Sequence, residues 1–321
     1  MRNDVLVVEI SGKRPGGSDK RPTEKYQIAH DHLIISNNAD GYVTDWPVVM
    51  VPDDYKEDYI RRYKTSESAW YAPMNRSYAI SYAKEKGYKY LVQLDDNILK
   101  LEIAYLIKSA DVIKRYRSTF SYEMMDDFIE MLVCVLENTD AGMAGCGLMG
   151  VSAPDKTFLS ERYVYSLFAL DLSRCPDHFQ GDFEDDIEFR LKLCQMGVPA
   201  VQVAPLRYNK TSQFSGKDES GNRAAYTKAG MARGEHMRAL YGDKYSCGMR
   251  GKTAGIKCEK KNGKAYFQHR LTPWKVGVKV KNREAIEEKF KRLLEKYAPY
   301  TPDKYVIKEK KVKKDAHRQT T

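Results

Sequence analysis

Cysteine is sparse and scattered: six residues (Cys134, Cys146, Cys175, Cys194, Cys247, Cys258), with no Cys-x-x-Cys pair anywhere. That spacing excludes the usual zinc modules and a dense disulfide framework, and it is read as the mark of a reduced, cytoplasmic protein. Long apolar runs are missing as well. No stretch approaches the ~18 residues of a membrane span, and the first four residues do not lead into the apolar core of a secretory signal. Internal repeats are absent, and so is a GxxxxGKS or GxxxxGKT phosphate loop. The chain is not short of apolar residues, however. With 42% apolar and 31% charged over 321 residues, it can bury the core of one large domain or two modest ones.

The net charge of +10 is unevenly spread. Residues 1–249 hold 32 Lys and Arg against 36 Asp and Glu, a net of −4, whereas residues 250–321 hold 22 against 8, a net of +14. A neutral-to-acidic body carrying a basic arm suggests a polyanionic partner, although a solvated basic tail has the same composition.

Two early apolar runs predict strands, Val5–Ile10 (VLVVEI) and residues 47–51 (PVVMV), with a Gly-, Pro- and cation-rich loop at 11–23 between them. Helical spacing of Ala79, Ile80 and Ala83 predicts a helix over 76–86 that stops at Gly87. A strand at 90–94 (YLVQL) runs into Asp95, Asp96 and Asn97. Residues 123–136 predict a helix buried on most of its circumference. Strands are expected near 142–151, 163–172 and 198–203, with a helix over 184–196. Strands alternating with helices predict an α/β fold with a mainly parallel sheet covered on both faces. After residue 206 the texture turns polar. There, Arg283–Tyr297 is a clear amphipathic helix and 308–321 a basic tail. The domains expected are a catalytic unit at 1–206, a basic acceptor or lid region at 207–307, and the tail.

The sharpest chemical signal is the carboxylate pair at a strand end. Ligands of open α/β sheets bind outside the carboxyl ends of strands, and Asp95, Asp96 and Asn97 put hard oxygen donors there for Mg²⁺ or Mn²⁺ and a diphosphate. A turn in which Asp and Asn bond their own backbone uses the same residues, so both readings stand. A second acidic cluster comprises Asp182, Glu184, Asp185, Asp186 and Glu188. Acids at a helix start suit its dipole, but five within seven residues exceed what capping needs, and crowding raises a carboxyl's pKa toward that of a general base. The loop Ser11-Gly12-Lys13-Arg14-Pro15 offers amides and cations to phosphate, and 209–223 (NKTSQFSGKDESGNR) reads as a lid or a plain surface loop. His178 and His236 are further candidate metal ligands.

These features, in this order, resemble the GT-A nucleotide-sugar glycosyltransferases, and within them the TET-associated glycosyltransferase group of tailed bacteriophages. Four stretches carry the resemblance: VVEISGKRP, WPVVMVPDDYKEDYIRRY, APMNRSYAISYAKEKGYKYLVQLDDNI and GDFEDDIEFRLKLCQMG. It spans residues 5 to 205. It implies that Ser11, Lys13 and Arg14 hold the donor nucleotide, that Arg76 lies under the donor diphosphate, and that Asp95 faces the ribose or sugar. Asp96 and Asn97 would sit nearest the metal, with Asn97 replacing the family's third acid and so weakening the cation. Asp185, or its neighbour Glu184, would be the catalytic base.

The implied donor is a UDP-sugar or another nucleotide-sugar. The implied acceptor is a hydroxymethylated pyrimidine, 5-hydroxymethylcytosine, in double-stranded DNA. The residues themselves support DNA only through the basic C-terminal quarter, where Arg250, Lys252, Lys257, Lys260 and Lys261 are the candidate phosphate contacts. Protein or polysaccharide acceptors, a nucleotidyltransferase, and a non-catalytic DNA-binding protein on the same fold are the competing readings.

Overall fold

The computed structural model describes residues 2–12, 14–38, 40–63, 71–109, 112–117, 122–149, 158–180, 185–210, 232–242, 245, 247–249, 260–261, 264–265, 267–269 and 274–297. Lys13, Asp182, Glu184, Arg250, Lys252, Lys257, most of the expected lid (211–223) and the tail lie outside the described residues.

A ten-stranded sheet forms the centre, in the order β3-β2-β1-β4-β9-β7-β10-β5-β6, with the short β8 (Leu159–Ser160) pairing β10 off that path. β1 (Val5–Ile10) is buried along its whole length, as its apolar run requires when both sheet faces are covered, and the one charge in it, Glu9, lies buried 3.8 Å from Arg21. It pairs in parallel with β2 (Asp31–Ser36) and β4 (Tyr90–Asp95), and β2 pairs in parallel with β3 (Val48–Met50). β9 (Leu167–Asp171) then runs antiparallel to both β4 and β7 (Met143–Leu148). β10 (Ala200–Lys210) lies parallel to β7 and antiparallel to β5 (Ile98–Ser109), which forms a hairpin with β6 (Val112–Arg117). The α/β class and the helix-flanked sheet hold. The parallel character is confined to the β3-β2-β1-β4 half and the β7–β10 pair, because β5–β6 and β9 enter as antiparallel strands.

α1 (Asp53–Tyr63) and α2 (Tyr71–Glu85) cover one face of the sheet. Met74, Ala79, Ile80 and Ala83 of α2 cluster with Leu6, Val8, Ile35 and Leu91 from the strands below. Gly87, at φ 81°, ends this helix in the left-handed conformation that costs glycine least. α3 (Met124–Glu137) covers the other face with nine buried apolar residues, too many for one stripe. The excess is explained by α6 (Arg283–Tyr297), which packs Ile286, Leu293 and Tyr297 into the same core from outside. α4 (Asp185–Gln195) carries a smaller third cluster, in which Ile187 and Leu191 meet Met237 and Tyr241 of α5 (Ala232–Tyr241), Tyr245 and Trp274. Tyr241, Tyr245 and Trp274 are thus core residues. The proposed 206/207 division falls inside β10, which continues unbroken to Lys210. No helix among the described residues is long and apolar enough to cross a membrane.

Candidate active site

The carboxyl ends of β1, β2, β4, β7 and β10 share one edge of the sheet, and the strand order reverses between β1 and β4, since β2 and β3 lie on one side of β1 and β4 on the other. Such a reversal opens a crevice, and the chain's polar residues converge on it. Asp95 ends β4, and Asp96 and Asn97 follow in a buried turn. Thr23 fixes this turn: its hydroxyl donates to Asp95 O (2.6 Å) and accepts from Ile98 N (2.9 Å).

Arg76 is the hub. It rises from α2 into the crevice, 5% exposed, over the rings of Phe168 and Phe179. Its Nη2 donates to Asp95 Oδ1 (2.6 Å), its Nε to Asp185 Oδ2 (3.0 Å) and its Nη1 to Gln93 Oε1 (3.2 Å). One guanidinium therefore ties the strand-end carboxylate to the acidic start of α4, two segments that lie 90 residues apart in sequence. Lys210 reaches the same point from the end of β10, after a register shift between Asn209 and Lys210. Its Nζ donates to Asp95 Oδ2 (3.2 Å) and Ser166 Oγ (2.8 Å). Ser166, just ahead of β9, is the one non-glycine residue among those described with positive φ (38°), and backbone strain of this kind gathers at ligand sites.

On the other side, Ser11 Oγ donates to Asp96 Oδ2 (3.1 Å) and Arg14 Nη1 to Asp96 Oδ1 (2.5 Å). Tyr42 Oη lies 2.8 Å from Ser11 Oγ and 3.0 Å from Ser36 Oγ, and the Tyr42 ring carries the Arg21 guanidinium 4.5 Å from its centre. Asn75 Nδ2 donates to Ser11 O (3.1 Å), so α2 positions the β1 loop as well as the hub.

Burial alone would raise Asp95, but Lys210 and Arg76 outweigh it and hold the carboxyl below the usual carboxylate range. Asp96 moves the other way, because burial and the adjacent Asp95 charge exceed what Arg14 returns. Asp186 is pushed up to about 7 by burial and by Asp185, against the pull of Arg76 and Lys210. A carboxyl at that value accepts a proton at neutral pH and remains a competent base. Glu188, fully buried on α4, is also raised to about 7 by burial. It takes hydrogen bonds from the Tyr241 hydroxyl and Gln180 N (3.2 Å), and serves to hold α5 on α4.

A divalent cation needs oxygen ligands whose charge is not already neutralised by other cations. All four carboxylate oxygens of Asp95 and Asp96 already accept hydrogen bonds, three of them from cationic side chains. Among the described residues, no group of three His, Cys, Asp or Glu side chains could hold an ion. As folded, the donor set does not fit a divalent metal at Asp96 and Asn97. His178 packs its ring on Tyr63 (5.0 Å), and burial lowers it to about 4. It joins none of these contacts.

The fold thus brings together Ser11, Arg14, Arg76, Asp95, Asp96 and Asp185 of the expected residues. Lys210, Ser166, Gln93, Tyr42 and Asp186 complete the cluster. Gln93 carried a signal, as a polar residue inside an apolar strand, whereas Lys210 was hidden in a stretch that reads as loop.

Residues 21–218 match the model of the TET-associated glycosyltransferase family. Among solved structures, a candidate nucleotide-diphospho-sugar transferase from Desulfovibrio desulfuricans G20 superposes at 12% identity and a TM-score of 0.33, over 75% of this chain and 99% of that one. Comparison with curated proteins gave no match. The family match covers most of the chain and takes in Arg76, Asp95, Asp96, Ser166, Asp185, Asp186 and Lys210, so the chain belongs to the TET-associated glycosyltransferase family and is a glycosyltransferase.

Proposed function

We propose that this glycosyltransferase moves a sugar from a UDP-sugar onto the hydroxymethyl group of 5-hydroxymethylcytosine in duplex DNA. The observation that carries the transfer chemistry is the pairing of a cation-lined strand end with a second carboxylate group across Arg76. Ser11, Arg14 and Lys210 border the donor diphosphate, with Lys13 assigned to the same loop, and Arg76 lies beneath it. The Asp185–Asp186 pair takes the proton of the acceptor hydroxyl as that oxygen bonds to the anomeric carbon. The bond from that carbon to the diphosphate breaks, and its electron pair leaves on the phosphate oxygen. Every step is assigned to side chains of the protein; none is routed through the divalent cation expected at Asp96 and Asn97.

Support for a DNA acceptor is the +14 charge of residues 250–321. The helix α6 contributes little to it, since Lys289 pairs with Glu130, Lys296 with Asp127, Arg283 and Lys291 with acids one turn on, and Arg292 with Glu288 one turn back. Duplex contact is assigned instead to Arg250, Lys252, Lys257, Lys260 and Lys261 and to the tail beyond 307. The donor unit is placed at 1–206 with the remainder of β10, and the acceptor region at 211–307.

The test is release of UDP from UDP-sugars with hydroxymethylated DNA, unmodified DNA, or no DNA. Release that requires the hydroxymethylated duplex is expected. Release with a protein or polysaccharide acceptor instead would move the acceptor and leave the donor chemistry standing.

A further inference from the structure

The carboxylates at the end of β4 already hold three cations of the protein itself. Asp95 takes Arg76 on one oxygen and Lys210 on the other, and Asp96 takes Arg14 on one and Ser11 on the other. A divalent ion entering here would have to sit beside the positive charges of Arg14, Arg76 and Lys210. We propose that this enzyme neutralises the leaving nucleoside diphosphate with its own cations, Lys210 foremost, so that donor binding and transfer proceed without a divalent metal. The proposal rests on the nucleotide-diphosphate donor reading above.

Lys210 is suited to the task. An ammonium has three N–H donors; Asp95 and Ser166 engage two, and the side chain keeps 16% of its surface exposed at the crevice. Its position is fixed from three directions: by the end of β10, by the strained Ser166 ahead of β9, and by Asp95 on β4. A cation held this way stabilises developing phosphate charge without reorganising as the bond breaks, the service a bound metal otherwise performs. Arg14, 23% exposed on the β1 loop, stands on the far side of Asp96 and brackets the same space. The two carboxylates then act as holders of cations.

The experiment uses full-length protein, treated with EDTA or supplied with Mn²⁺ or Mg²⁺, and calorimetric titration with UDP, GDP, CDP, ADP and dTDP. The expected result is one preferred nucleotide whose Kd changes by less than about threefold on chelation. Lys210→Met should weaken it about tenfold or more in both conditions, while Lys210→Arg retains most of the affinity. Circular dichroism checks that each variant is folded, and the chelation comparison on unmodified protein stands whatever the variants do. Binding that appears only with metal, with the gain abolished by Asp96→Ala, overturns the proposal and leaves the glycosyltransferase reading intact. Chelation-insensitive binding that a folded Lys210→Met variant leaves unchanged overturns the role of Lys210. If no nucleoside diphosphate binds in either condition, the donor reading falls and this proposal with it.

Discussion

The sheet carries a charge cluster at each end of its strands, and the two are built on different terms. At the amino end of β2, His30 gives one ring nitrogen to Asp126 (2.8 Å) and the other to Glu130 (3.0 Å), and Lys289 closes the set on Glu130 (3.2 Å). Both ring nitrogens are used, three elements are joined, and α3 and α6 are stapled to the sheet. At the carboxyl end, Lys210 has a donor to spare, Ser166 is strained, and the pKa of Asp186 is held at about 7 by burial and by Asp185. Saturated charge fastens a fold, whereas charge left under tension awaits a ligand.

Breaking the carboxyl-end cluster at its hub should have the largest effect. Arg76→Met leaves Asp95 and Asp185 buried without their shared partner, at a cost of about 3–5 kcal/mol by urea unfolding and with UDP release lost. Wild-type turnover in a stable Arg76→Met variant would erase the distinction between the two clusters.

Next comes proton acceptance. Asp186→Asn should lower turnover by about 10²–10⁴-fold with little change in donor affinity. In the intact enzyme the rate should climb as pH passes about 7, where Asp186 loses its proton. Asp185→Asn, by loosening Arg76, should show in donor binding as well, and comparing the two variants identifies the base.

The basic arm should give a smaller, graded change. Duplex affinity should fall with salt at a log–log slope of about −0.9 per phosphate neutralised, and removing residues 308–321, with six Lys and Arg, should flatten it by at most about 5. Donor binding should not change. A flat salt dependence in the intact protein removes the DNA acceptor.

The amino-end cluster should answer only in stability. Hydrogen bonds donated to Asp126 and Glu130 raise His30 from 6.5 to about 9. Its charged form therefore stabilises the fold fully below pH 6.5, and that contribution, on the order of 2 kcal/mol, is lost as pH rises through about 9. Urea midpoints across that range, for the wild type and His30→Ala, should converge at high pH, with donor affinity the same in both.

Much of this was legible in the sequence because period and burial coincide. VLVVEI and YLVQL are β1 and β4, and the stripe of Ile286, Phe290, Leu293, Leu294 and Tyr297 gives α6 its observed limits. β2 escaped because DHLIIS is short and begins polar, and β5–β6 because alternating charges disguise an edge hairpin. β10 was expected to stop at Val203, yet RYNK continues as strand because β5 pairs with it on the far side. The individual carboxylates of the site could be read from local spacing. Their pairing with Arg76 and Lys210 could not, since those contacts join segments up to 115 residues apart and exist only once the sheet is assembled.

The placement of β10 also sets an order of events in folding. Among the described residues it is the last strand of the large sheet along the chain, yet it sits inside it, and it joins the β5–β6 hairpin to the other strands. Loop closure over such distances is slow, so the N-terminal strands and helices can form well before the sheet is whole. Lys210 arrives with the closing piece. During refolding, helical signal should therefore recover first and nucleotide binding last, with the binding competence of the whole molecule waiting on the insertion of a single strand.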